Sequence, residues 1–318
     1  MADLWRLIGK RLLLGLLTLF AVSVLVFIGT ELLPGDLAEV ILGQSATPEA
    51  VAAIRAKLNL GDPAIVRYWR WFSGVLVGDF GNSLASGRPI VTVLLPRLQA
   101  TLFLAATAAV IAVPLAIGLG LLSALWRDRT FDKTTSAATL AAISMPEFFI
   151  GYLLVYVFAV QLGWFPAISR ISPSAGFGQK LWAIALPALT LTLVTTGHMM
   201  RMTRAAVVQV LSAPYIEMAE LKGTPRRAII FRHALPNAIG PIANVVVLNL
   251  AFLVVGVILV EVVFVYPGMG QLMVDAVSKR DIPLIQACAI VFAITYVGLN
   301  MLADIVSILA NPRLRHPR

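Results

Sequence analysis

Six long apolar segments constrain the fold of this chain more strongly than any other feature of its sequence. They run over residues 12–33, 99–125, 137–160, 183–200, 237–263 and 286–309. A helix that crosses a bilayer needs about 20 mainly apolar residues, because it rises about 1.5 Å per residue across roughly 30 Å of hydrocarbon. Charged residues make up 13% of the chain, which is about half of their share in soluble proteins. We therefore expect an all-α polytopic membrane protein with six transmembrane helices.

Four of these segments contain an internal proline, at Pro114, Pro146, Pro187 and Pro241. Proline removes a backbone donor and crowds the preceding turn, but membrane helices tolerate it where neighbouring groups satisfy the backbone. We expect a kink rather than a break at Pro114, Pro187 and Pro241, and we also expect a kink at Pro146.

Basic residues are distributed unevenly among the connections between the apolar segments. The basic connections are residues 1–11, 126–136, 201–236 and 310–318. Together they hold 15 Lys and Arg in 67 residues, whereas the remaining connections hold 10 in 109. Short loops rich in Lys and Arg stay in the cytoplasm, so both termini are predicted to be cytoplasmic. Because the net charge of +9 resides largely in such clusters, nucleic acid is not an expected partner.

The longest connection, residues 34–98, is predicted to be extracytoplasmic and to contain amphipathic helices. Thr47 and Pro48 can begin one helix, and Asp62 and Pro63 can begin a second. The second helix carries four aromatic residues, Tyr68, Trp69, Trp71 and Phe72. They indicate either an aromatic belt at the lipid headgroups or a surface that docks another protein.

The sequence lacks the catalytic patterns that a membrane enzyme or ATPase would need. It contains no G-x-x-x-x-G-K-[ST] loop for nucleotide phosphates, no H-E-x-x-H pair and no G-x-S-x-G elbow. Its one cysteine, Cys288, lies in an apolar run and is interpreted as a small buried side chain. We expect no catalytic residue, no metal site and no cofactor bound by this chain.

The cytoplasmic connection at 201–236 is too polar to cross a membrane and too regular to be a plain loop. Pro214 favours a helix start and Gly223 a stop, and a second short helix is predicted from Arg226 to His233. The first helix is expected to be apolar on one side, through Ile216, Ala219 and Leu221. Such a corner fits either a groove on a partner protein or the membrane surface.

This connection resembles the EAA loop of ABC-importer permeases, whose pattern is E-A-A-x3-G-x9-I-x-L-P. Met218 and His233 depart from that pattern, and the other motif positions match. The resemblance implies that the loop couples the chain to a partner ATPase. The coupling residues it implies are Tyr215, Ile216, Glu217, Ala219, Leu221, Gly223, Leu235 and Pro236.

Further strings in register resemble the first permease subunit of dipeptide and oligopeptide ABC importers. They include Leu60-Gly61-Asp62-Pro63, Gly78-Asp79-Phe80-Gly81, Leu162-Gly163-Trp164-Phe165-Pro166 and Pro267-Gly268-Met269-Gly270. The resemblance implies a type I importer fold in a bacterial cytoplasmic (inner) membrane. It also implies a second, related permease subunit, two nucleotide-binding ATPase subunits that hold ATP and Mg2+, and an extracytoplasmic solute-binding protein.

Four residues are candidates for the transport pathway or its gate. Glu147 and Phe148 lie within the third apolar segment, where a carboxylate is costly and usually faces a cavity or a polar partner. For Glu147 the alternatives are a structural pair near Pro146 and a segment boundary displaced toward water. Glu261 and Phe264 lie near the end of the fifth segment, and the family pattern makes them structural or gating candidates.

Two other classes of transporter compete with an importer permease. A secondary transporter would be favoured by inverted repeats with paired broken helices, and a channel subunit by a filter or a sustained polar stripe. Neither pattern is evident in the sequence. The substrate stays open, because related permeases carry dipeptides and oligopeptides, nickel chelates, glutathione or oligosaccharides.

Overall fold

The computed structural model describes residues 2–33, 46–57, 59–172 and 174–310. Within these ranges the regular structure is helical, and the β-structure is limited to an isolated bridge between Asn82 and Pro89. The predicted all-α fold is therefore confirmed. Two compact units divide the chain. The first is built mainly on Leu102–Tyr266, and the second on Leu13–Thr101 with Pro267–Val297.

The helices follow one another with short connections. In chain order they are α1 Ala2–Glu31, α2 Pro48–Lys57, α3 Ala64–Leu76, α4 Ile90–Leu125, α5 Thr130–Ser144, α6 Glu147–Leu154, α7 Phe177–Ala183, α8 Ala185–Leu211, α9 Pro214–Leu221, α10 Arg226–Ala228, α11 Leu235–Val263, α12 Met269–Ser278 and α13 Ile282–Ala310. Two π-helical segments extend this set. Val155–Gln161 continues α6, and Ile229–Ala234 joins α10 to α11. The second predicted apolar segment, 99–125, forms only the later part of α4.

Four helical stretches in the described residues are long and apolar enough to cross a membrane. They are Ile8–Glu31, Ile90–Leu125, Ile229–Val254 and Ile282–Leu302. Two bent pairs also pass this test, α5 with α6 and its π-helical extension, and α7 with α8. Counting each pair as one span gives six spans.

Of the two sharp bends, one falls at an internal proline, Pro146, and the other falls three residues before Pro187. Pro114 and Pro241 sit inside continuous helices, so neither proline breaks its helix, as expected. The 102° bend falls between α5 and α6, because Pro146 holds Met145 in an extended conformation. The 61° bend between α7 and α8 falls at Ile184. Pro187 follows in the first turn of α8, where a missing N–H is tolerated.

Glycines allow close helix packing in the first unit. A Cβ at Gly120 of α4 would lie 2.8 Å from Thr203 Cβ and 2.9 Å from the Met200 carbonyl oxygen on α8. A Cβ at Gly197 of α8 would lie 2.8 Å from Ile143 Cγ2 on α5. Small residues at such contacts let membrane helices approach each other closely. The helices α4, α5 and α8 therefore form one tightly packed block.

The second unit packs α3 against α1 through aromatic side chains. Tyr68 is buried, and its hydroxyl lies 2.9 Å from Ser23 Oγ on α1. Its ring packs edge-on against Phe27, with 5.4 Å between centroids. Trp69 remains half exposed. Tyr68 therefore takes part in neither of the two predicted alternatives, a belt or a docking surface, and holds two helices together instead.

A buried carboxylate fixes a second loop in the same unit. Asp281 precedes α13 and is 1% exposed. Its oxygens accept hydrogen bonds from the Ser83 hydroxyl at 2.5 Å and from the Leu84 N–H at 3.0 Å. These bonds tie the turn-rich segment after α3 to the start of α13.

Candidate functional site

Residues 214–224 form a sharp corner, hereafter the corner, that consists of α9 and the turn after it. Pro214 occupies the first turn of α9, where proline needs no N–H donor. Gly223 adopts φ +72°, a left-handed conformation that glycine reaches without strain. The Thr224 N–H then donates to the Ala219 carbonyl at 3.1 Å and closes the turn. The predicted helix start and stop both lie where the sequence placed them.

Burial divides the coupling residues of α9 into two groups. Ile216 is 2% exposed and packs against Ile229 and Ala234, and Ala219 lies partly buried beside them. Leu221, by contrast, is 76% exposed. The predicted apolar side is thus wrong as a single face, because Ile216 and Ala219 point into the chain while Leu221 points outward. On a helix these positions diverge, since residues five apart do not share a face.

The outward side of α9 presents a mixed apolar and charged surface. Met218 is 54% exposed and Tyr215 is 43% exposed, and Leu221 extends the same surface. Glu217 is also exposed and lies in the first turn, where its negative charge favours the helix. We call Tyr215, Glu217, Met218 and Leu221 the outer surface of the corner.

The segment after the corner differs from the predicted separate helix at Arg226–His233. A single turn of α10 passes into the π-helical segment and then directly into α11. The Leu235 N–H donates to the Ile230 carbonyl five residues earlier. Pro236 follows within the first turn of α11, and the wider π-helical turn accommodates its missing donor. The corner is therefore joined to α11 without a break.

A cavity of about 670 Å³ lies between α6, α8 and α11 in the first unit. It is lined by Glu147, Leu191, Val194, Thr195, His198, Met202, Leu248, Asn249, Phe252, Leu253, Gly256, Ile258 and Leu259. Most of these side chains are apolar, and Glu147 is the one carboxylate among them. Pockets of this size and composition typically orient a small ligand through a few polar groups. We call this space the Glu147 cavity.

Glu147 stands at the amino end of α6, directly after the bend at Pro146. Its Oε2 atom has no hydrogen-bond partner among the described residues. Gly256 of α11 makes room for the carboxylate, because a Cβ there would lie 2.9 Å from Oε2. The partial positive charge of a helix N-terminus favours a carboxylate at this position. Phe148 follows on α6, is 45% exposed and does not line the cavity.

Glu261 and Phe264 lie at the end of α11 and are both fully buried. The Phe264 carbonyl accepts a hydrogen bond from the Ser169 N–H at 2.9 Å. Its ring lies against Gly151 of α6, where a Cβ would be 3.3 Å from Phe264 Cε2. The Glu261 carbonyl accepts from the Tyr266 N–H at 2.8 Å. Of the two interpretations left open by the sequence, this packing supports a structural role.

Sequence reasoning missed an ion pair between α5 and α8. Arg204 binds Asp132 through two bonds, Nε to Oδ1 at 2.6 Å and a terminal nitrogen to Oδ2 at 2.7 Å. The Ser123 hydroxyl of α4 and the Asp128 N–H also donate to this carboxylate. The two charged residues are 72 positions apart and belong to no motif. The one available signal was the presence of two acidic residues, Asp128 and Asp132, in a connection that also holds three basic residues.

Metal binding finds no support in the part of the chain that the structure describes. No group of three or more His, Cys, Asp or Glu side chains in these ranges is arranged to hold a metal ion. The expected absence of a bound cofactor stays a prediction.

Comparison with known proteins identifies the family. The model of the binding-protein-dependent transport system inner membrane component matches residues 116–316. A model of the N-terminal part of such membrane components matches residues 4–105. The chain belongs to this family of transport permeases.

Relatives match this permease over almost its whole length. The glutathione transport system permease protein GsiC of Escherichia coli strain K12 is 38% identical over 308 residues, covering 96% of this chain and 98% of the relative. GsiC of Salmonella paratyphi A has the same identity and coverage. GsiC of Shigella flexneri serotype 5b is 37% identical with the same coverage.

The family assignment decides between the classes of transporter that the sequence left open. The chain is a permease component of binding-protein-dependent ABC transport in the inner membrane, and it is not an enzyme by itself. The resemblance to importer permeases is confirmed, and a secondary transporter or channel is not supported. A permease of this kind works with a solute-binding protein and an ATPase.

Proposed function

We propose that the permease forms half of an import pathway and that a partner ATPase drives it through the corner. The observation that carries this proposal is the division of α9 into two sides. Ile216 anchors the helix inside the permease, whereas Met218 and Leu221 leave an exposed apolar surface. An exposed apolar surface on a rigid, charged corner is suited to insertion into a groove of another protein.

The anchoring of α9 makes the corner suitable as a lever. Ile216 contacts side chains at the end of α8 and in the segment that enters α11, including Leu211 and Ile229. A displacement of α9 by the ATPase would therefore displace both long helices. Reversing a 1:99 population of two conformations requires about 5.5 kcal/mol of differential binding, which closure of an ATP-loaded dimer can supply.

The Glu147 cavity is the proposed contribution of this chain to the pathway. Its unpartnered carboxylate oxygen suits an ammonium group, whereas the apolar lining suits side chains of varied shape. Peptides and related small solutes combine these two features, and glutathione, the solute named for the relatives, is one of them. A neutral oligosaccharide would gain little from a carboxylate here.

The remaining subunits of the proposed transporter are inferred from the family. A second, related permease would supply the other half of the pathway. Two ATPase subunits would bind ATP and Mg2+ and engage one corner each. A solute-binding protein would deliver the cargo from outside, with both permease termini in the cytoplasm, as the distribution of Lys and Arg predicts.

Charge substitutions on the outer surface test the coupling role. Met218→Asp and Leu221→Asp should leave the permease folded, because both side chains are exposed, but should remove the ATPase subunits from the purified complex. Arg127→Gln is the control, because Arg127 is also exposed and lies in another predicted cytoplasmic connection. Full retention of the ATPase by both aspartate variants would contradict the proposed coupling surface.

A further inference from the structure

The ion pair between Asp132 and Arg204 lies in the first unit, and the proposed function assigns it no role. Arg204 lies on α8 between two functional regions. On one side, five residues of α8 between Leu191 and Met202 line the Glu147 cavity, and on the other side Leu211 contacts the corner. Asp132 lies near the start of α5, and α5 leads through the 102° bend to Glu147.

The geometry of the ion pair fixes the relative orientation of the Asp132 and Arg204 side chains as well as the distance between them. The guanidinium of Arg204 meets both carboxylate oxygens at 2.6 and 2.7 Å, an arrangement that only a planar fork can make. Asp132 is 3% exposed, and Ser123 and the Asp128 N–H occupy further acceptor positions. The carboxylate therefore connects α4, α5, α8 and the loop between the first two.

Buried ion pairs contribute little net stability, because removing two charges from water offsets most of their attraction. Their better-attested use is to select one arrangement of the elements that carry them. Apolar residues could pack α5 on α8 equally well, as Gly197 and Ile143 already do. The pair therefore adds a fixed register between the two helices.

We propose that the Asp132–Arg204 pair is a positioning element that makes α5 and α8 move as one body with the corner. Motion imposed on α9 then reaches two walls of the Glu147 cavity, the wall formed by α8 and the wall formed by Glu147 of α6, which follows α5. Without the pair, α8 follows the corner while α5 and Glu147 lag behind it. This inference rests on the proposed coupling role of the corner.

A cysteine reporter in the cavity tests this transmission without knowledge of the solute. Phe252→Cys places a thiol at an exposed position of the cavity lining, in a Cys288→Ala background. In the complete complex, the rate at which N-ethylmaleimide labels this thiol is compared with ADP and with ATP plus vanadate. The permease with an intact pair should show a clear difference between the two nucleotide states.

The double variant Asp132→Asn with Arg204→Gln removes both charges and so leaves no unpaired buried charge. We expect it to retain its ATPase subunits and ATP hydrolysis but to lose the nucleotide-dependent change in labelling. Arg204→Lys keeps the charge without the fork and should lose most of the same change. Arg201→Gln, an exposed arginine on the same helix, is the matched control and should keep it.

The outcomes separate this inference from the proposal on which it rests. Full nucleotide-dependent labelling in both pair variants would overturn the positioning role. If the labelling rate is the same in both nucleotide states even in the permease with an intact pair, that result would contradict the proposed coupling instead. Failure of the double variant to assemble, together with full labelling changes in Arg204→Lys, would leave the pair a purely structural role and also overturn the inference.

Discussion

Two carboxylates on the same bent span, Asp132 and Glu147, have opposite surroundings. Asp132 near the start of α5 receives a bidentate guanidinium, a serine hydroxyl and a backbone N–H. Glu147 at the start of α6 has an oxygen without any hydrogen-bond partner among the described residues and faces an apolar cavity. Both lie in a chain with few charged residues, yet only one of them is satisfied internally.

The difference indicates that one of these carboxylates has a structural role and the other a role in transport. A buried charge is costly unless it is paired, so a fully paired carboxylate serves the fold and an unpaired one awaits a ligand. The paired residue holds helices in register, and the unpaired residue lies beside the space through which a solute is proposed to pass. Substitutions that treat the two carboxylates alike should therefore give unlike results.

The largest expected difference concerns stability. Asp132→Asn leaves the Arg204 guanidinium partly buried without its partner, which typically costs about 3–5 kcal/mol. Glu147→Gln removes an uncompensated charge and should leave the free energy of unfolding unchanged or slightly improved. Thermal unfolding of the purified complex measures both. Equal losses of stability in the two variants would remove the basis of the comparison.

A pair of glycine substitutions sharpens the same comparison at intermediate magnitude. Gly120→Ala forces a Cβ against Thr203 and the α8 backbone next to the ion pair, and overpacking of this kind costs about 1–3 kcal/mol. The three atoms nearest to an added Cβ at Gly256 belong to the movable carboxylate of Glu147, so Gly256→Ala is expected to displace the carboxylate and lower uptake with normal stability. Stability and uptake are measured side by side for each variant. A destabilised Gly256→Ala permease with normal uptake would be the contrary result.

The smallest expected effect is on transport by the variant Glu147→Gln. Loss of one charged hydrogen bond to an ammonium group should lower uptake of glutathione or a tripeptide about tenfold, which corresponds to ~1.4 kcal/mol. Uptake into proteoliposomes is measured at low solute concentration, with Phe148→Leu as control because Phe148 lies outside the cavity lining. Unchanged uptake by Glu147→Gln would remove this residue from the pathway.

Features encoded locally were predictable from the sequence. The apolar segments depend on composition over about 20 residues, and the corner depends on Pro214 and Gly223, whose backbone preferences act over a single turn. The bend after α5 also had a local signal in Pro146, which indicated a kink at this position but not its angle of 102°.

Features that depend on contacts distant in sequence were not predictable. The inward orientation of Ile216 depends on its contacts with Ile229 and Ala234. Both residues lie beyond the turn at Gly223, so the helical periodicity of α9 does not reveal these contacts. The pairing of Asp132 with Arg204 requires α5 and α8 to be in contact, and a single sequence does not show which helices are in contact. Glu147 could be recognised as unusual, but its missing partner is visible only once its neighbours are placed.

The most direct test of the central claim identifies what touches the corner in the working complex. Met218→Cys in the Cys288→Ala background is labelled with a benzophenone maleimide and irradiated in membranes that contain all subunits. Val160→Cys is the control, because Val160 is also exposed, at 64% against 54% for Met218, but lies on the segment after α6. The account predicts that label at position 218 cross-links to the ATPase and that label at 160 does not. Cross-linking of position 218 to lipid alone would contradict it.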